Sequence, residues 1–241
     1  MVATVKNTLS SLQTISQPHF VELVGPAGAG KSTLARSLCQ RNGKIMIGTE
    51  IALRNVEQYP IFVRSIPLIL SSLFSRARDS RPWTWDEIKF LIYLKQWNQV
   101  LEIQAHGHPG IILLDHGPIF KLATLHAFGP SWLRSVSADA WWKELFQQWA
   151  ALLDLIVWLD APDTLLETRI NARSQKHEVK GKTGQEVVQF LNRYRSSYQY
   201  VLSGLAASGG PTVIQFDTSQ STLKQITGKV LVVCQRATIG V

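Results

Sequence analysis

Along the chain, short apolar and β-branched runs alternate with longer stretches in which apolar residues return every three or four positions. Runs of the first kind suit strands buried on both faces, and the second pattern suits the helices that cover them. Strands are predicted at 20–24, 44–48, 111–115, 155–160 and 213–217. Helical periodicity is clearest over 31–41, 61–77, 85–104, 138–153, 163–174, 185–202 and 221–234. Strand followed by helix, repeated, is the pattern of parallel strands joined by crossover helices, so an α/β fold is expected. Breaks at Arg81-Pro82, Gly107-His108-Pro109-Gly110, Gly129-Pro130 and Gly209-Gly210-Pro211 punctuate elements of one domain, expected to span residues 1–241. The stretch between the second and third strands is longer than a crossover requires and mostly helical.

Composition narrows this picture. With 45% hydrophobic and 17% charged residues among 241, the chain can bury one sizeable core. Cys39 and Cys234 sit in amphipathic helical patterns, and two thiols so placed build neither a disulfide framework nor a zinc site. A reducing, cytoplasmic location is therefore expected. Residues 1–18 alternate polar and apolar positions without the apolar core of a secretory signal, and no apolar run approaches the length of a bilayer span. The net charge of +8 favours a polyanionic partner, whether nucleotide, nucleic acid or anionic membrane. Much of that charge is local: Arg169, Arg173, Lys176, Lys180, Lys182, Arg193 and Arg195 are opposed in their stretch only by Glu178 and Glu186.

The chemistry is most legible after the first strand. Phe20-Val21-Glu22-Leu23-Val24 leads into Gly25-Pro26-Ala27-Gly28-Ala29-Gly30-Lys31-Ser32-Thr33, and a helical pattern follows. Glycines let the backbone turn sharply, so that successive N–H groups converge on a phosphate and the helix N-terminus adds its positive dipole end. In this arrangement Lys31 reaches the β- and γ-phosphates, while the Ser32 hydroxyl is placed to ligate magnesium. ATP with Mg2+ is the expected ligand.

Three predicted strands end in an acid: Asp115, Asp160 and Asp217. In an open parallel sheet the carboxyl edge is where ligands bind, so at least one of these acids is expected to face the site. Asp115 comes within reach of magnesium or of an acceptor hydroxyl if the third strand neighbours the first. Arg169 and Arg173, four residues apart, are expected on one face of a helix. The polar, glycine-containing stretch that follows suits a lid over residues 169–184 that closes on a triphosphate and stabilises charge in transfer.

These residues together resemble the P-loop kinases of nucleosides and nucleoside monophosphates, especially the thymidylate kinase and deoxynucleoside kinase group. The resemblance rests on the phosphate loop, the strand ending in Asp115, the Leu159-Asp160-Ala161-Pro162-Asp163-Thr164-Leu165 entry, Arg169-x3-Arg173, the helix bearing Tyr194, Tyr198 and Tyr200, and Asp217-Thr218-Ser219. It implies a three-layer P-loop fold: a five-stranded parallel sheet of order 2-3-1-4-5 with helices on both faces, a helical insertion and a lid. It also implies ATP as phosphoryl donor, lid arginines that engage the phosphates, and an acid just beyond strand two, the place of Glu50. Residues 50–107 would then shape the pocket of a small-molecule acceptor. No nucleic acid or membrane partner is expected, and a homodimer is open.

Two positions depart from the family pattern. His116-Gly117-Pro118 stands where an arginine usually follows the third-strand acid, and the arginine after strand two is missing, with Arg54 one helical turn past Glu50. The alternative to a kinase is a nucleotide-dependent switch that phosphorylates no acceptor. Trp83, Trp85 and Trp97 are candidates to stack on a flat acceptor, whereas Trp141, Trp142 and Trp149 read as packing residues.

Overall fold

The computed structural model describes residues 20–48, 63–64, 66–67, 81–107, 110–174 and 177–236. Glu50, Arg54, Lys176 and most of the expected helix over 61–77 lie outside the described residues, although Val63, Arg64, Ile66 and Pro67 are helical.

Five strands, β1 (Phe20–Val24), β2 (Ile45–Ile47), β3 (Ile111–Asp115), β4 (Leu155–Asp160) and β5 (Thr212–Asp217), form one parallel sheet in the order β2-β3-β1-β4-β5. This is the expected order, and it sets β1 at the centre with β3 on one side and β4 on the other. The longer described helices are α1 (Lys31–Arg41), α2 (Trp85–Gly107), α3 (Pro118–Phe128), α4 (Asp139–Leu152), α5 (Asp163–Asn171), α6 (Gly184–Ala207) and α7 (Leu223–Arg236), with two short 3-10 turns at Ser131–Arg134 and Val136–Ala138.

Strand alternation sorts the core into two layers. Phe20, Val24, Ile112, Leu114 and Ile156 pack toward residues of α2, α3, α4 and α6, whereas Val21, Leu23, Leu113, Val157 and Leu159 pack toward α1, α5 and α7. Both faces of β1 are buried, which is why its sequence reads as a nearly continuous apolar run. Glu22 is the exception within that run. It is fully buried, on the face that α3 covers.

Helix α3 was not among the periodic segments. Its first residue is Pro118, tolerated there because the missing N–H would have no partner inside the helix. No side chain of the preceding loop caps it. The cap comes from another strand: the Glu22 carboxylate accepts from Ile119 N at 2.9 Å and from Phe120 N at 3.0 Å. A local reading cannot see a cap supplied from 97 residues away.

The tryptophans are mostly structural. Trp97, Trp142 and Trp149 are among the largest fully buried side chains. The Trp142 and Trp149 indole N–H groups donate to the carbonyls of Leu133 and Leu94. Trp97 stacks on Tyr93, and Trp83 packs edge-on against Trp132. Of the three stacking candidates, Trp85 is the one exposed side chain, at 53%.

Candidate active site

The loop between β1 and α1 holds three glycines at positive φ: Gly25 at 135°, Gly28 at 85° and Gly30 at 96°. Gly25 needs its missing side chain as well, since a Cβ there would lie 1.9 Å from the Leu159 carbonyl oxygen of β4. The loop is thus seated directly on the neighbouring strand, and Tyr198 of α6 donates to the Gly25 carbonyl at 3.3 Å.

Lys31, the first residue of α1, is buried, and its ammonium donates to the carbonyls of Gly25 (2.8 Å) and Pro26 (3.1 Å). Burial lowers its pKa to about 8, with Arg173 adding to the effect and Asp115 opposing it. The amine is a desolvated cation held over the loop, short of negative charge.

Ser32 donates its hydroxyl hydrogen to Asp115 Oδ2 at 2.7 Å. The other carboxylate oxygen, Asp115 Oδ1, is buried without a hydrogen-bond partner among the described residues. A hydroxyl and a carboxylate side by side, one oxygen unsatisfied, fit a hard cation that takes oxygen ligands. Among the described residues no cluster of three or more His, Cys, Asp or Glu could hold a metal by itself. Magnesium bound with a nucleotide needs only one or two side chains, because phosphates and waters complete its shell.

The other two strand-ending acids are engaged elsewhere. Asp160 receives Arg195 Nε and Nη2 at 2.8 and 3.0 Å, and Asp163 receives Nη1 at 2.5 Å. Asp217 accepts from the backbone and hydroxyl of Ser219. Of the three acids, Asp115 alone bonds to a phosphate-loop side chain.

Two cavities flank the loop. The first, about 360 Å³, is lined by Gly28, Gly30, Thr33, Arg169, Arg173 and Thr218 among others. The second, about 260 Å³, is bounded by Pro26, Lys31, His116, Phe120, Tyr194 and again Arg173. Arg173 therefore faces both.

The two arginines are not on one helical face, because α5 ends at Asn171 and Arg173 lies beyond it. Arg169 donates to the Gly28 carbonyl at 3.3 Å, and to Thr218 at its hydroxyl (2.8 Å) and carbonyl (3.2 Å). It bridges the phosphate loop to the end of β5. Of the remaining candidates, Ala27 lines the second cavity and Ala29 the first, so the expected loop residues are gathered at one place, whereas Glu50 lies outside the described residues.

A family model described as an AAA domain matches residues 20–197, from β1 into α6. The chain belongs to this P-loop family. Its fold is that of solved nucleotide and nucleoside kinases. Thymidylate kinase from Candida albicans is 17% identical, with 91% of this chain and 92% of that one covered at a TM-score of 0.54. Deoxyadenosine kinase from M. mycoides is 14% identical over 90% of this chain and 98% of that one, at 0.50. A Bacillus subtilis protein solved with phosphorylated GDP is 15% identical over 90% and 96%, also at 0.50. No curated protein matches by sequence.

Within this P-loop family member, His116 was already marked by its place after the third-strand acid, whereas the placement of His177 and Glu22 was not read from the sequence. His116, at φ 64°, is the one non-glycine residue at positive φ among those described, and its ring lies 4.6 Å from that of Phe120. His177 lines the second cavity. Glu22 underlies the β3–α3 turn, and a Cβ at Gly117 would come within 2.7 Å of its carboxyl carbon. A charged residue inside an apolar strand was the signal for Glu22.

Burial raises the Glu22 pKa to about 7, with Asp115 adding to the shift and the amides of Ile119 and Phe120 and the charge of Lys121 opposing it. A carboxyl with a raised native pKa binds more protons folded than unfolded between its two pKa values. Its contribution to stability is therefore fully present below pH 4.5 and is lost as pH rises to about 7. Urea unfolding at pH 5, 6, 7 and 8 should show the wild type losing stability relative to Glu22→Gln as pH rises. A constant difference across that range would show that Glu22 is ionised throughout.

Ser32→Ala removes the hydroxyl beside Asp115. It should weaken ATP binding in the presence of magnesium by roughly tenfold or more, in keeping with the loss of a ligand-grade contact to a charged centre. Binding without magnesium should change little. Calorimetric titration in both conditions checks this, and equal losses would remove Ser32 from the metal site.

Proposed function

We propose that the protein is an ATP-dependent phosphotransferase that moves the γ-phosphoryl group of ATP to a small-molecule acceptor, a nucleoside or nucleoside monophosphate. The observation that carries this reading is the pair of cavities on either side of the phosphate loop, both bordered by Arg173. A nucleotide switch requires one pocket; transfer requires two that meet at the phosphates.

In this proposal the first cavity takes the donor nucleotide and the second the acceptor. Loop residues 25–33, Pro26 apart, supply N–H groups to the donor phosphates, and Lys31 supplies positive charge beside them. Ser32 and Asp115 would hold magnesium, which when bound neutralises phosphate charge. Arg173 stabilises charge as it shifts between donor and acceptor, and Arg169 holds the loop against β5 at the donor side. The acceptor oxygen forms its bond to the γ-phosphorus as the bond to ADP breaks. A hydroxyl acceptor also releases a proton, and either Asp115 or Glu50 is assigned to receive it.

Nothing in this reading involves a bilayer, and no helix among the described residues is long and apolar enough to cross one. We place the reaction in the cytoplasm. The test is a panel of nucleosides, nucleoside monophosphates, sugars and amino alcohols, each offered with ATP and magnesium while ADP is followed. Acceptor-dependent ADP formation supports the proposal; ATP binding without acceptor-dependent turnover across the panel favours the switch.

A further inference from the structure

We infer that His177 is a substrate-contacting residue whose Nε2–H donates a hydrogen bond to a phosphate oxygen in the second cavity. This rests on the phosphotransfer reading, since that reading places phosphate there.

The argument begins with the turn that carries the residue. His177 opens a tight turn in which Lys180 N donates to the His177 carbonyl at 3.1 Å. Within that turn Val179 N donates to His177 Nδ1 at 3.3 Å. A ring nitrogen that accepts from a backbone amide carries no proton of its own, so the neutral ring bears its hydrogen on Nε2. The ring meets Phe190 edge-on, with centroids 5.6 Å apart at 87°. One nitrogen is thus fixed by the backbone and one side of the ring by an aromatic, while the residue lines the cavity.

The surroundings select what that N–H can meet. Lys31, Arg173 and His116 border the same cavity, and none of its described lining residues is a carboxylate. The two charged side chains on that wall, Lys31 and Arg173, are both cations, so the cavity suits an anionic ligand whose oxygens can accept from the ring N–H. Burial, Arg173 and Lys31 all lower the His177 pKa, against the opposing charge of Glu178. The lowered pKa favours the neutral ring, which offers a directed donor without adding another cation beside Lys31 and Arg173. A neutral donor also costs less to desolvate than a charged one.

The oxygen has two possible sources: a phosphate already on the acceptor, or the phosphoryl group in transit. Thymidine 5′-monophosphate and thymidine, each with ATP and magnesium, separate them. If the acceptor phosphate is bound, only the monophosphate reaction suffers in a variant, through KM; if the transferring group is bound, kcat falls with both.

The variants separate contact from turn-building. His177→Asn places a carbonyl oxygen where Nδ1 was, preserving the bond from Val179, but has nothing at the position of Nε2. His177→Gln reaches the Nε2 position with an amide N–H but gives up the acceptor at Nδ1. The expected result is a fall of roughly tenfold or more in kcat/KM for Asn, the scale of a lost hydrogen bond to a charged oxygen, with Gln restoring most of it. Direct ATP titration should be unchanged in both. An active Asn variant beside an impaired Gln variant would make His177 a turn residue only and overturn the inference, as would equal losses or none in both.

A second measurement is independent of turnover. In protein labelled with 15N-histidine, His177 should show a protonated Nε2 whose signal moves when inorganic pyrophosphate is added. That shift without turnover on any acceptor would sink the phosphotransfer reading and leave the contact standing. Turnover with an unmoved His177 signal would sink the contact alone.

Discussion

Replacing Lys31 with alanine should lower turnover by roughly a thousandfold, at the upper end for loss of one preorganised donor to developing charge, and leave the fold intact. The ammonium is buried and, among the described residues, its hydrogen bonds go to the Gly25 and Pro26 carbonyls, so removing it empties no part of the apolar core. Under the proposed function, what is lost is the charge expected nearest the donor phosphates. The expected readout is acceptor-dependent ADP release close to background, beside a thermal melt within a few degrees of wild type. The pKa of about 8 adds a second consequence. Above that pH the free amine loses its proton, and a triphosphate must restore it on binding. ATP affinity should therefore fall as pH rises past about 8, by up to tenfold per pH unit, and Lys31→Ala should lose that dependence. A variant with full turnover would remove the phosphate loop from the reaction.

Arg173 and Arg169 should fail differently. Arg173 borders both cavities and lies close enough to Lys31 to lower its pKa, which under the proposed function places it beside the group in transfer. Its replacement by alanine should reduce kcat on the order of a hundredfold while ATP affinity changes little. Lysine should restore only part, because a point charge cannot reproduce the two-pronged contact of a guanidinium with phosphate oxygens. Arg169 is occupied by Gly28 and Thr218, and its alanine variant should raise the KM for ATP more than it lowers kcat. Steady-state kinetics with the best acceptor, together with ATP titration, separate the two. Equal losses of kcat in both variants would restore the simpler picture of two interchangeable lid cations.

The contrast between these arginines marks where the sequence was informative. The phosphate loop was legible because its signal is local: glycines at Gly25, Gly28 and Gly30 are needed for backbone angles, and the strand and helix flank them directly. The strands were legible for the same reason, since burial on both faces leaves an apolar run. Asp115 followed from its place at the end of β3.

Features that depend on which distant element arrives were not legible. Helix α3 was missed because its cap is Glu22, a residue of another strand. Arg195 counted toward a basic patch, yet its guanidinium is held by Asp160 and Asp163 and locks α6 to the end of β4. A count of charges does not reveal which are paired. His177 was one polar residue in a polar stretch until the fold set it on the wall of the same cavity as Lys31 and Arg173.

The most direct test of phosphotransfer is to follow the label of γ-32P-ATP with magnesium and the best acceptor from the panel. The label should appear on the acceptor in step with ADP, and Lys31→Ala should abolish its transfer. If wild-type protein binds ATP yet the label stays on ATP or passes only to water, whatever acceptor is present, the protein is not a phosphotransferase and the nucleotide serves as a switch.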